Sequence, residues 1–223
     1  MPILKPYHST IIKKIIDACE FKEGEADISE SIRRGMCFAL SVEWLRAIHE
    51  KIQGWDKDYG TENHYNAKPK YYMQIARNFQ TYIRTDKNSL TRLLGTNTVE
   101  ADYTAFASLM TGNIFEECYA LKIPGAGHIT TPDVFAEQIC RSSNYLLMYM
   151  RLKKGAHAVA AYFDKNKRTV YFYDPNCGVV SFSSEDLDDL EAQLKEFLTK
   201  WWKEYEGEYT IQYVVPHMVI PSK

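Results

Sequence analysis

The sequence predicts an α+β chain, with helices in the first half and an antiparallel sheet in the second. Two observations predict it. Phe38, Val42, Leu45 and Ile52 recur at helical spacing, and similar stripes occur on either side of them. From Tyr145 to Phe182 the pattern changes to short apolar, aromatic runs separated by turn residues, which read as successive strands. Helices followed by strands is the order of an α+β architecture.

Composition sets the bounds. With 223 residues, 45% hydrophobic and 13% aromatic, the chain can bury one sizeable core, so a single domain over 1–223 is expected. The net charge of -2, with both signs interspersed, gives no electrostatic footprint for nucleic acid. No apolar run approaches the roughly 20 residues of a bilayer span. The stretch Met1 to His8 has no continuous apolar core, so no secretory signal peptide is expected. Cys19, Cys37, Cys118, Cys140 and Cys177 are scattered, and no pair has metal-site spacing. They suit a reducing compartment and call for neither metal nor organic cofactor.

The elements follow in order. Ile12, Ile15, Ile16 and Cys19 predict a helix over 9–20. Glu23 to Ser31 is polar, contains Gly24 and reads as a loop. A helix follows from about Arg33, with Leu40, Trp44 and Ile48 widening its apolar face and Gly54 as its stop. This puts Cys37 on the first turn, just after Gly35. Trp55 to Pro69 predicts a long polar loop. Tyr72, Ile75, Ala76, Phe79 and Ile83 mark another helix. Short helices around Leu90 to Leu94 and Ala101 to Met110 precede a loop at Pro124 to Gly127. Thr131 and Pro132 are an N-cap and a first-turn proline for a helix running to Cys140.

Strands are predicted at Tyr145 to Leu152, His157 to Phe163, Thr169 to Tyr173 and Val179 to Phe182. Ser183 or Ser184 then caps a long helix whose face carries Leu187, Leu190, Leu194, Phe197, Leu198 and Trp201. Tyr209 to Val215 is the last strand.

One hairpin carries the chemistry. His157 lies near the start of its first strand and Asp174 at the end of its second, joined through Asp164 to Arg168. Antiparallel pairing brings those two ends together. An imidazole held by a carboxylate is half of a nucleophilic site. Cys37 supplies the other half, because a helix N-terminus lowers a thiol's pKa. Cys37 would attack a carbonyl carbon. His157 would take the thiol proton and return it to the leaving group, and Asp174 would hold the ring. Each residue also has a plainer reading. Cys37 suits a core, His157 a strand, and Asp174 a turn, since Asp-Pro-Asn-Cys-Gly is good turn chemistry. The conjunction of the three in order favours the site. His8, His49, His64, His128 and His217 show no ligand spacing. Cys177 reads as a core or loop residue, and Trp201-Trp202 as a helix-to-core anchor.

Three motifs also resemble a known family. The segment from Gly35 to Trp44 around Cys37, the His157 strand, and Phe172 to Gly178 resemble, in order and interval, the YopT-like cysteine proteases. The resemblance implies a papain-like fold. The nucleophile helix of the N-terminal half would pack on a C-terminal antiparallel sheet, with Cys37, His157 and Asp174 as catalytic residues. It implies a bacterial effector that reaches the host cytosol and cleaves a selected host protein. Known substrate classes of that family are prenylated Rho-family GTPases and a plant protein kinase. One position departs from the pattern. A Gln or Asn five or six residues before the nucleophile is expected as an oxyanion donor, and Ile32 and Ser31 stand there. The backbone N–H of Cys37 is one available donor, and Ser31 or a nearby backbone amide is the other. Two further classes use the same scaffold: a glutamine deamidase or acyl transferase, and a catalytically weak binding module.

Overall fold

The computed structural model describes residues 26–52, 54–57, 59, 67–68, 71, 74, 119–122, 128–142, 145–153, 156–208 and 210–220. The expected helices at 9–20, Tyr72 to Ile83, Leu90 to Leu94 and Ala101 to Met110 lie essentially outside the described residues, as does the Pro124 to Gly127 loop. Helix α1 spans Ala26–His49. Strand β1 spans Tyr119–Lys122, helix α2 Pro132–Arg141, and strand β2 Tyr145–Leu152. Strands β3 (Ala156–Asp164), β4 (Thr169–Asp174) and β5 (Gly178–Ser183) follow. Helix α3 (Leu187–Glu208) and strand β6 (Ile211–Ile220) complete the fold. The sheet has the order β1-β6-β2-β3-β4-β5 and all its described pairings are antiparallel.

The sheet is covered on both faces. Met148, Met150, Val159, Ala161, Val170 and Phe172 pack with residues of α2 and α3 in one core cluster. Helix α1 lies on the opposite face. There Trp44 stacks on Tyr173 with ring centroids 5.2 Å apart, and the Ser41 hydroxyl donates to the Ala158 carbonyl at 3.1 Å. Successive side chains of a strand point to opposite faces. Covering both faces therefore buries β3 almost without interruption, from His157 through Ala161.

Both ends of α1 differ from the sequence reading. Helix α1 starts at Ala26, so most of the expected loop at Glu23 to Ser31 is helical. Its residues include no proline, and the polar side chains that hid the periodicity do not forbid a helix. The stop comes before Gly54. Lys51 takes φ 53°, Ile52 N–H reaches Ala47 O at 2.8 Å and Lys51 N–H reaches Ile48 O at 3.1 Å. That bonding pattern is a Schellman cap, with lysine where glycine is usual.

At α2 the Thr131 cap and Pro132 stand as expected, with the hydroxyl accepting from Val134 N–H. At α3 the cap is Asp186, not Ser183 or Ser184. Its carboxylate accepts from Asp188 N–H at 2.8 Å, and its carbonyl from Leu190 N–H at 3.0 Å. Ser184 instead accepts from Asp186 N–H, one turn upstream. Strand β1 falls in a stretch where no strand was expected, and β6 runs on to Ile220 rather than ending at Val215.

The contact that seats α1 gives a stability prediction. Trp44 is fully buried, so Trp44→Ala should cost about 3–5 kcal/mol in chemical denaturation, the usual range for a buried aromatic. A loss under about 1 kcal/mol would contradict the packing described.

Candidate active site

The site begins with the turn after β4. Cys177 N–H donates to Asp174 O at 2.9 Å, and Asn176 N–H donates to Asp174 Oδ1 at 2.8 Å. Pro175 occupies the first corner, where its fixed φ suits the turn. Gly178 takes φ 88°, the left-handed region that a Cβ would disfavour. The Asp-Pro-Asn-Cys-Gly segment is thus turn chemistry, as its plainer reading held. The same carboxylate also reaches the neighbouring strand.

Sheet register brings the partner. Ala160 pairs with Tyr173, which puts Asp174 beside Val159 and two residues along from His157 on the same face. His157 Nε2 lies 2.8 Å from Asp174 Oδ1. Both side chains are buried, His157 at 6% and Asp174 at 1% exposure. With Nε2 committed, Nδ1 is the nitrogen left for a second partner. The Cys37 side chain, from α1, is close enough to this ring to raise its pKa. The structure therefore brings Cys37, His157 and Asp174 together.

Electrostatics favour charge on both members of the buried pair. Burial alone would push His157 toward the neutral ring, but the Asp174 carboxylate and the Cys37 contact outweigh it and raise the pKa. Burial would likewise favour a neutral Asp174. The charge of His157 and hydrogen bonds from His157, Asn176 and Trp201 hold its pKa below the usual carboxylate range instead. Asp174 Oδ2 accepts the Trp201 indole N–H at 2.8 Å and the Cys177 thiol at 3.4 Å. Burial and the neighbouring carboxylate push the Cys177 pKa up, so its thiol stays a protonated donor.

Sequence reasoning missed these two roles. Cys177 was placed as a core or loop residue and Trp201 as an anchor. Only the position of Cys177 within the Asp174 turn carried any signal.

Cys37 itself requires a correction. It lies near the middle of the 24-residue α1, not on its first turn. In the helix interior each N–H bonds the carbonyl four residues back. The Cys37 amide is thus engaged, and the terminal dipole that would favour a thiolate is distant. Ser31 lies within α1. Among the described residues no cluster of three His, Cys, Asp or Glu side chains could hold a metal ion, and no helix is long and apolar enough to cross a membrane.

A helix packed on one face of an antiparallel sheet, with a thiol meeting a buried imidazole and carboxylate, defines a papain-like α+β protein. The crystal structure of the Pseudomonas avirulence protein AvrPphB shares the fold, with a TM-score of 0.53 and 17% identity, covering 90% of this chain and 98% of that one. Residues 119–216 match the peptidase C58 family, described as Yersinia/Haemophilus virulence surface antigen. A YopT-like cysteine protease by name, y4zC of Sinorhizobium fredii, is 25% identical over 178 residues. That alignment takes in 78% of this chain, which spans 63% of the relative's length. In these comparisons the chain is similar to the YopT-like cysteine proteases over its second half and shares the fold of AvrPphB. The matched segment contains His157 and Asp174, while Cys37 lies before it.

The pKa shifts have signed consequences. A raised His157 pKa contributes stability that is fully present below the ordinary value near 6.5 and is lost as pH climbs through the raised one. A lowered Asp174 pKa contributes stability present above 3.8 and lost as pH falls through the lowered one. Imidazole NMR should therefore show the His157 ring still protonated at about pH 8, well above an ordinary histidine's range. In Asp174→Ala the ring's titration should move down. A ring already neutral at pH 7 in the wild type would contradict the ion pair.

Proposed function

We propose that this chain is a cysteine-type peptidase acting through Cys37, His157 and Asp174. The observation that carries the reading is the buried His157–Asp174 hydrogen bond, with Cys37 close to the same ring. Cys37 is the nucleophile that forms a thioester with a substrate carbonyl. His157 accepts the thiol proton and delivers it to the leaving amine. Asp174 orients the ring and stabilises the imidazolium, and water then releases the acyl group. The substrate is a host protein, and the working place is the cytosol of a host cell. That part of the reading rests on the family's description as a virulence antigen, on AvrPphB's title as an avirulence protein, and on the YopT-like name of y4zC. Residues within Trp55 to Pro69 and Gly125 to Thr131 are proposed to select the substrate.

One observation favours a second reading, a binding module with weak turnover. The Cys37 amide is engaged within α1, and Ile32 and Ser31 stand where an oxyanion donor is expected. Loss of one such donor costs about 3–4 kcal/mol of transition-state stabilisation.

Mass spectrometry of host lysate treated with wild type or Cys37→Ser separates the readings. New peptide termini that appear only with the wild type support the peptidase. A mass gain of deamidation or acyl transfer at intact backbone would redirect the chemistry. His157→Ala should abolish turnover with the fold retained, and Asp174→Ala should weaken it less. A thiol-directed covalent probe should label wild type and not Cys37→Ala. Unlabelled, fully folded wild type would favour the binding module.

A further inference from the structure

Asp174 turns one oxygen toward His157 and the other toward α3. Oδ1 serves His157 and the Asn176 N–H. Oδ2 accepts the indole N–H of Trp201 at 2.8 Å, a buried contact made across the layer from helix to strand end. The indole is itself held. It stands edge to face against Phe172 of β4 at 5.2 Å and tilts against Phe135 of α2 at 6.2 Å. Leu190, Leu194 and Leu198 share its buried face of α3. The other donor to Oδ2 is the Cys177 thiol, a weak one. Trp202, the next residue, is buried in the same core cluster, yet among the bonds described to Asp174 the indole donor is that of Trp201.

We infer that Trp201 is a positioning residue that acts through Asp174, its indole N–H fixing the carboxylate plane so that Oδ1 stays on His157 Nε2. Its catalytic meaning rests on the thiol-peptidase reading above. Packing alone would be served by any large apolar side chain. A rigid donor aimed at Oδ2 does something packing cannot. It removes the freedom of the carboxylate to rotate about its own axis, and it satisfies a buried anionic oxygen that would otherwise be left to the weak thiol. The charge of Asp174 is supported by the same bond. The remaining titratable groups around it are His157, Cys37 through that ring, Cys177, and Glu204, which acts on Cys177 from α3.

The test uses the full chain and two pairs of variants. The rate of Cys37 alkylation by iodoacetamide is followed against pH in wild type, Trp201→Phe and Trp202→Phe. Both variants lose an indole from the same core, and only the first loses the donor to Asp174. Trp201→Phe should slow alkylation on the acid side by roughly tenfold, the usual scale for an outer partner of a functional group. It should move that limb to higher pH and leave the alkaline plateau in place. Trp202→Phe should keep the wild-type profile. Asp174→Ala should shift further in the same direction, and adding Trp201→Phe to it should change nothing more. Superimposable profiles for the two tryptophan variants would overturn the inference, as would a full additional effect on top of Asp174→Ala.

A second readout needs no activity and no tryptophan variant. The indole N–H resonance of Trp201 should move upfield between wild type and Asp174→Ala, and an unmoved resonance would overturn the contact. If wild-type Cys37 reacts no faster than a free thiol, the peptidase reading fails. Imidazole spectra then decide the role of Trp201: a His157 titration displaced in Trp201→Phe and not in Trp202→Phe supports it, and identical titrations overturn it.

Discussion

The site depends on how α1 is seated on β3 and β4. Cys37, Ser41 and Trp44 stand four and then three residues apart, so they share one helix face. Ser41 holds the carbonyl of Ala158, the residue after His157. Trp44 stacks on Tyr173, the residue before Asp174. The thiol is therefore placed by contacts made to the immediate chain neighbours of both its partners. Small side chains make this possible. Ala158 and Ala160 are buried on β3 beneath the helix, where larger residues would hold α1 away. A one-residue rotation of α1 would turn the whole face through about 100° and lose all three contacts at once. The buried Ser41 hydroxyl strengthens the choice of register, since leaving it unpaired would cost about 1–3 kcal/mol.

The second requirement is a buried charge that is fully partnered. An ionised carboxylate is expensive in a protein interior unless hydrogen bonds replace its water. Asp174 meets this with four donors drawn from three places: the His157 ring on β3, the Asn176 amide and Cys177 thiol of its own turn, and the Trp201 indole on α3. The turn and the site are thus one structure. The Asx turn that ends β4 also fixes the rotamer that points Oδ1 at His157. This explains why a short turn motif in the sequence carries functional meaning here, although the same residues form turns in many proteins.

Legibility followed range. The β3–β4 hairpin was readable because its signal is local: two apolar runs, a polar loop, and chemistry-bearing residues at the ends that antiparallel pairing must bring together. The α2 cap was readable for the same reason, since Thr131 and Pro132 sit next to the turn they start. Elements whose reason lies elsewhere were not readable. Strand β1 is four residues of an edge that exists because β6 lies beside it. Strand β6 continues through Pro216 and His217, a proline being poor evidence for a strand until its neighbours are seen. The start of α1 is mostly polar, and Ile28 and Ile32 alone, four residues apart, give only a sparse apolar series. The Trp201 donor joins residues 27 apart through tertiary packing, and no local pattern announces it.

The interior position of Cys37 changes how such a site divides its work. At a helix N-terminus a cysteine receives help from free backbone amides, both for its thiolate and for an oxyanion. Inside α1 those amides are already bonded, so the helix offers the side chain and a fixed direction, and little field. The burden passes to the other face of the site. The buried imidazole keeps its raised pKa through the Asp174 carboxylate beside it and the Cys37 contact. Asp174 is in turn held charged by His157 and by hydrogen bonds from Asn176 and Trp201. The position of the thiol on α1 is thereby joined, through His157 and Asp174, to a hydrogen bond from α3 on the far side of the sheet.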